Sequence, residues 1–290
     1  MTFLPKRLLC LVDLSQVSPA VLSWARLLAS TYRAEIEVFH AIWAPKSGAE
    51  GAEINFEILG TEIEGRVNAL CDEAFGKELK YVSTVAQGHP VKTVLQHIEQ
   101  SAPDLIVLGS HGYDGYGEVL LGSVAENVMR KAKCPVLIVK GAPLASNTTS
   151  LKTIQSAVDL GDFSRYCLLR ASELATMLES ELHVTFVAPP FLPVKEARSA
   201  LEAWIPDPVW SNTEVRDVVL QGDPAEKLVK YARDKHCALI VVAGEHRPFL
   251  EYTTLGRTTE RVLRFCPCTA LMIPKIDGKP DSIIIEPAQA

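Results

Sequence analysis

Gly109, Gly112, Gly122 and Ser123 fall in the pattern Gly-x2-Gly-x9-Gly-Ser, between the apolar run Leu105 to Leu108 and a segment of helical spacing. That arrangement suits phosphate. Glycine lacks a Cβ, so backbone N–H groups can approach an anion closely, and it takes positive φ without strain. A helix start presents N–H groups without acceptors in the helix, together with the positive end of its dipole. Ser123 adds a hydroxyl donor. The plainer alternative is that these glycines only turn corners. A third glycine, a serine, a strand before and a helix after favour phosphate.

Asp13 closes a second apolar run, Arg7-Leu-Leu-Cys-Leu-Val-Asp. If that run is a strand of an open α/β sheet, Asp13 stands at the carboxyl rim, where such sheets bind ligands. Its carboxylate can accept from an exocyclic amine or a ribose hydroxyl. The alternative is that it caps the helix that follows.

The elements that must position these residues can be read in order. Residues 7–13 form a run suited to a parallel strand covered on both faces. Residues 18–31 show helical spacing, with Ser18 as candidate N-cap and Pro19 in the first turn. Strands are expected at 34–42, 79–86, 104–109 and 135–140. Helices are expected at 52–78, after the turn Gln87-Gly88-His89-Pro90 as far as about Ser101, and at 123–132. Alternation of strand and helix implies a parallel sheet with helices on both faces.

The pattern then begins again. After linker-like residues 141–150, Asp159 repeats Asp13 and Gln221-Gly222-Asp223-Pro224 repeats Gln87-Gly88-His89-Pro90. Gly244 repeats Gly109, and Cys266-Pro267 repeats Cys134-Pro135, at offsets between 132 and 146 residues. The expectation is an α/β chain of two tandem doubly wound domains, residues 1–142 and 151–276, each a five-stranded parallel sheet. The polar tail after Lys275 is expected to be irregular.

The copies differ where chemistry is expected. Gly244-Glu245-His246-Arg247 puts Arg247 in place of the second glycine, and Arg257 stands where the first copy has Ser123. A side chain where backbone must meet phosphate is a steric objection, and Glu245 adds a like-charge one. Arg247 and Arg257 are themselves able to bind an anion.

Bulk properties exclude other classes. The net charge is -6 with no basic cluster, which argues against duplex nucleic acid as partner. No apolar run reaches the ~18 residues of a membrane span, and a cytoplasmic location is expected. The seven cysteines are scattered and expected as free thiols in core strands; only Cys266 and Cys268 are close. The seven histidines form no metal spacing, and His111 alone lies in the glycine loop. Neither a P-loop, a Gly-x-Gly-x-x-Gly fingerprint after the first strand, nor a hydrolase elbow occurs.

The glycine loop with Asp13, the strand order and the Cys-Pro-Val-Leu-Ile-Val ending resemble the ATP-binding branch of the universal stress protein family. The resemblance covers nearly the whole chain as two family domains of the adenine nucleotide alpha hydrolase-like fold. It implies that Asp13 and the backbone around Ala41 contact adenine and that Val12 lines the base pocket. It implies further that Gly109 lies near the ribose, and that Gly112, Gly122, Ser123 and Val124 hold the phosphates. The implied ligand is ATP, with Mg2+ or Mn2+ accompanying the triphosphate. The implied role is regulatory rather than enzymatic. A slow ATPase and a nucleotide-free interaction scaffold are the alternatives. The resemblance also implies that residues 135–140 and 268–273 pair within the chain as a pseudo-dimer; a homodimer of whole chains stays open.

Overall fold

Apolar runs buried on both faces form the middle of a sheet. The structure, a computed structural model, describes residues 5–43, 56–110, 121–249 and 252–275, with the side chains of 56, 57, 246–249 and 252–254 excepted. The first half runs β1 (Arg7–Leu11), α1 (Ser18–Tyr32), β2 (Glu35–Ile42), α2 (Phe56–Phe75), β3 (Tyr81–Gln87), α3 (Pro90–Ser101), β4 (Leu105–Gly109), α4 (Ser123–Lys131) and β5 (Val136–Val139). The second half begins β6 (Thr153–Val158), α5 (Asp162–Met177), β7 (Glu181–Ala188), α6 (Val194–Trp204), α7 (Asp207–Asn212) and β8 (Val215–Gln221). It ends α8 (Pro224–Asp234), β9 (Leu239–Gly244), β10 (His246–Phe249), β11 (Tyr252–Leu255), α9 (Arg257–Phe265) and β12 (Thr269–Pro274).

Each half is a parallel sheet, ordered β3-β2-β1-β4-β5 in the first and β8-β7-β6-β9-β12 in the second. The two join where β5 pairs antiparallel with β12, with Ile138 opposite Ala270 and Leu137 opposite Leu271. The result is one ten-stranded sheet. These are the two segments that the resemblance named for pairing.

Alternation along the strands divides the core into two layers. Leu8, Cys10 and Val12 face α1 and α2, in a layer that continues to α5, α6 and α7. Leu9 and Leu11 face the other way, in the layer of α3, α4, α8 and α9. Ile138 and Ala270 are fully buried in this second layer, so it runs unbroken across the seam. Truncating a fully buried Ile or Leu in such a layer costs about 2–5 kcal/mol.

Polar contacts reinforce the seam. Lys140 Nζ donates to the carbonyls of Arg264 and Cys266, each at 3.0 Å. A cation from the first half thus satisfies the C-terminal carbonyls of α9. The linker is tied down too: Leu144 N donates to Ser23 Oγ at 2.9 Å, and Arg26 Nη2 to the Ala145 carbonyl at 2.7 Å.

The repeated Gln-Gly-x-Pro turn has a backbone cause. Gly88 has φ +152° and Gly222 φ +124°, a backbone conformation that residues with a Cβ rarely adopt. Only glycine fits, and the proline that follows starts α3 or α8.

Several expectations need correction. Ser18 does not cap α1; the N-cap is Val17, while Pro19 does sit in the first turn. All seven cysteines are free, but only Cys10 lies in a strand; Cys71 and Cys167 lie in helices, and Cys134, Cys237, Cys266 and Cys268 lie in connections just before strands or after helices. The loop expected between Gly244 and Gly256 is a β-hairpin, β10 against β11. The tail after Lys275, residues 44–55, His111 and Gly112 lie outside the described residues.

Candidate functional site

The strand order places β1 and β4 side by side, although the chain visits β2 and β3 between them. The crossovers therefore part at this point, which leaves a crevice at the carboxyl ends of the two strands. Asp13 follows β1 and Gly109 ends β4, so both stand at the crevice.

Asp13 is held by a tight turn. Its Oδ1 accepts from Ser15 N at 2.9 Å and from Ser18 Oγ at 3.1 Å, and Ser18 Oγ accepts from Asp13 N at 3.3 Å. Leu14, between them, has φ +61°. A leucine in that region is strained, and such strain persists where the surroundings enforce it. The turn recurs in the second half: Leu160 has φ +65°, Gly161 N donates to Asp159 Oδ1 at 2.9 Å, and Asp159 N to Ser164 Oγ at 3.1 Å. Part of the Asp13 carboxylate thus serves the turn.

Val12 and Ala41 stand beside it. Leu11 pairs with Phe39, and Val12 N donates to the Phe39 carbonyl at 3.1 Å, which carries the strand pairing one residue further. His40, buried and immediately before Ala41, has Nδ1 at 2.9 Å from the Val12 carbonyl. Burial lowers the His40 pKa, so the ring is neutral and its Nδ1–H donates. Sequence reading looked for metal spacing among the histidines and so missed this role; the signal was a single His one residue before Ala41.

The ends of the glycine loop are brought together. Ser110 N donates to the Val139 carbonyl at 3.1 Å, and Gly122 N to the Ser110 carbonyl at 2.8 Å. Gly122 is the N-cap of α4, with extended φ and ψ of -63° and 151°, and no side chain caps this end. Glu126 N takes the Gly122 carbonyl at 2.9 Å. The N–H groups of Ser123, Val124 and Ala125 precede the first N–H with an acceptor inside the helix. Ser123 is exposed. The structure therefore gathers Val12, Asp13, Ala41, Gly109, Gly122, Ser123 and Val124 along one rim.

The second half keeps the frame and fills it differently. Gly256 N donates to the Glu245 carbonyl at 3.1 Å, as Gly122 does to Ser110. Thr259 Oγ1 donates to the Ala243 carbonyl at 2.8 Å. Gly244 is explained by packing, since a Cβ there would lie 2.9 Å from Met272 Cγ and 3.3 Å from the Ile273 carbonyl oxygen. Arg257 opens α9 with an exposed side chain.

A groove of about 440 Å³ lies elsewhere, on the outer face of α3, lined among others by His89, Lys92, Glu99 and Lys131. Lys131 is at the C-terminal end of α4, the wrong end for phosphate. No helix among the described residues is long and apolar enough to cross a membrane.

Known proteins share this fold. The profile of the universal stress protein family matches residues 5–140 and again 150–274. The chain belongs to the universal stress protein family. It carries two tandem domains of that family. A universal stress protein of Methanocaldococcus jannaschii is 34% identical over 142 residues, 47% of this chain and 82% of the relative. A universal stress protein of Mycobacterium tuberculosis H37Rv is 24% identical over 273 residues, 87% of this chain and 91% of its own length. The crystal structure of a universal stress protein from Archaeoglobus fulgidus superimposes with a TM-score of 0.71 over 93% of this chain and 98% of that one, at 21% identity. That likeness establishes the fold.

Proposed function

We propose that the first domain, residues 1–142, binds one ATP per chain as a regulatory ligand, and that the second, residues 151–276, does not bind it in this way. One observation carries the reading: α4 opens on an uncapped glycine at the switch point, beside the fixed turn of Asp13. A triphosphate answers the N–H groups of Ser123 and Val124 and the Ser123 hydroxyl. Gly109 and Gly122 let backbone approach the ribose and phosphates, and Gly112 belongs to the same loop. The Asp13 Oδ2 and the backbone at Ala41 take the adenine edge, with Val12 lining the base. In the second domain the hairpin occupies the loop's position, and Arg257 replaces the serine.

Among the described residues no three His, Cys, Asp or Glu side chains stand together as a metal site. A Mg2+ or Mn2+ that accompanies the nucleotide would be carried on its phosphate oxygens. Bound nucleotide acts on the chain only by as much as it prefers one conformation.

The test is direct. Purified chain is denatured and the supernatant chromatographed for adenine nucleotide, and ATP is added to nucleotide-free chain during thermal unfolding. ATP at a hundredfold excess over Kd stabilises by about 2.7 kcal/mol. Absence of both carried-over nucleotide and thermal shift overturns the reading and leaves a nucleotide-free scaffold.

A further inference from the structure

The second domain's hairpin has a neighbour in the first domain: β11 packs against α4. Leu255, the last residue of β11, is 6% exposed and belongs to the same apolar layer as Ala125, Val128 and Met129, the buried face of α4. The hairpin that replaces the second glycine loop thus packs against the helix that begins where the first loop ends.

Leu255 is not on a loose tip. It pairs with His246 across the hairpin and directly precedes Gly256, the N-cap of α9. Gly256 N is bonded to the Glu245 carbonyl at 3.1 Å, and Thr259 Oγ1 to the Ala243 carbonyl at 2.8 Å. The first bond closes the base of the hairpin, and the second ties the first turn of α9 to the end of β9. A glycine-rich loop at this place would have the wide backbone freedom of its glycines; a paired hairpin presents one fixed apolar knob.

Helix α4 needs such a support. It has nine residues, shorter than the ~12–15 at which an isolated helix becomes marginally stable, so its position rests on packing. An anion held by its first N–H groups feels displacements of that packing, because donor distances decide the strength of the bonds.

We infer that Leu255 is a positioning residue for the first domain's phosphate site: the second domain gave up its own loop for a hairpin that fixes α4. The inference rests on the nucleotide reading above for its ligand, but the support of α4 is separately measurable.

The experiment uses the full chain with Leu255→Ala, and Leu201→Ala as control. Leu201 is fully buried in α6, in the opposite core layer of the second domain. Two quantities are measured: hydrogen exchange of the α4 amides without nucleotide, and the Kd for ATP. Leu255→Ala is expected to speed exchange at Val128 and Met129 and to weaken ATP about tenfold. Leu201→Ala is expected to lower thermal stability with α4 exchange and Kd unchanged. Equal α4 exchange in wild type and Leu255→Ala overturns the inference, whether or not ATP binds. Faster exchange with unchanged Kd overturns it as well. A wild-type chain that fails to bind ATP overturns the nucleotide reading, and α4 exchange then still decides whether Leu255 supports the helix.

Discussion

Arg130 of α4 lies 3.9 Å from Glu260 of α9, a contact between the two domains. Each is also half of an internal pair, Arg130 with Glu126 at 2.6 Å and Arg264 with Glu260 at 3.5 Å. The two pairs occupy matching places in the repeat, four residues apart in each helix, so duplication brought two copies of one motif face to face. The side chains are about one third exposed, and solvent screens such contacts to about 0.2–1 kcal/mol. The seam is therefore held by Ile138, Ala270 and their neighbours, with the ion chain adding little. A double-mutant cycle of Arg130→Ala and Glu260→Gln in urea should give a coupling below about 1 kcal/mol that shrinks with added salt. A coupling of several kcal/mol, insensitive to salt, would assign the seam to charge instead.

The frame of the site was legible because burial leaves a strong mark. Runs such as Leu8 to Val12 and Leu105 to Leu108 have no other home than the middle of a parallel sheet, and their repetition after residue 150 revealed two domains. The hairpin was not legible. His246 to Leu255 contains Pro248 and no clean alternation, and the eight-residue gap between Arg247 and Gly256 reads as a shortened loop. What makes it a hairpin is the pairing of β10 with β11, and β11, which ends on the buried Leu255, packs against α4 of the other domain. The roles of Ser15 and Ser18 were hidden for a similar reason. A serine before a helical segment reads as a cap, whereas here a strained Leu14 turns the chain so that Asp13 collects both groups.

Ser123 offers a clean test of backbone binding. It is the first residue of α4, and proline is tolerated at that position because its missing N–H has no acceptor within the helix. Ser123→Pro therefore removes one N–H and the hydroxyl while leaving the helix able to form. A hydrogen bond to a charged group is worth about 1.5–3 kcal/mol. The expected outcome is a Kd for ATP weakened by about tenfold or more, with the melting temperature of the nucleotide-free chain nearly unchanged. Ser123→Ala, which removes the hydroxyl alone, should weaken ATP less. Equal affinity in Ser123→Pro and wild type would remove the helix N-terminus from the site.

His40 makes the rim sensitive to acid. Burial is the main cause that holds its pKa below 6.5, and the nearby Arg66 pushes the same way; the Val12 carbonyl and Asp13 push upward but do not win. The folded chain therefore takes up this proton at lower pH than the unfolded chain does. Stability from the neutral ring is complete above about pH 6.5 and is lost as pH falls below it, by up to about 1.4 kcal/mol per pH unit until the folded group protonates. Carboxylates contribute their own acid dependence, so the informative quantity is a difference. Asn can keep an N–H directed at the Val12 carbonyl and does not titrate. Urea unfolding at pH 7 and pH 5.5 should show wild type losing more stability than His40→Asn over that interval. ATP affinity should follow the same course, since the Val12 carbonyl that His40 holds lies between Phe39 and the Asp13 turn. Parallel stability curves for the two chains would mean that His40 protonates as readily folded as unfolded, and the neutral donor at Val12 would have to be abandoned.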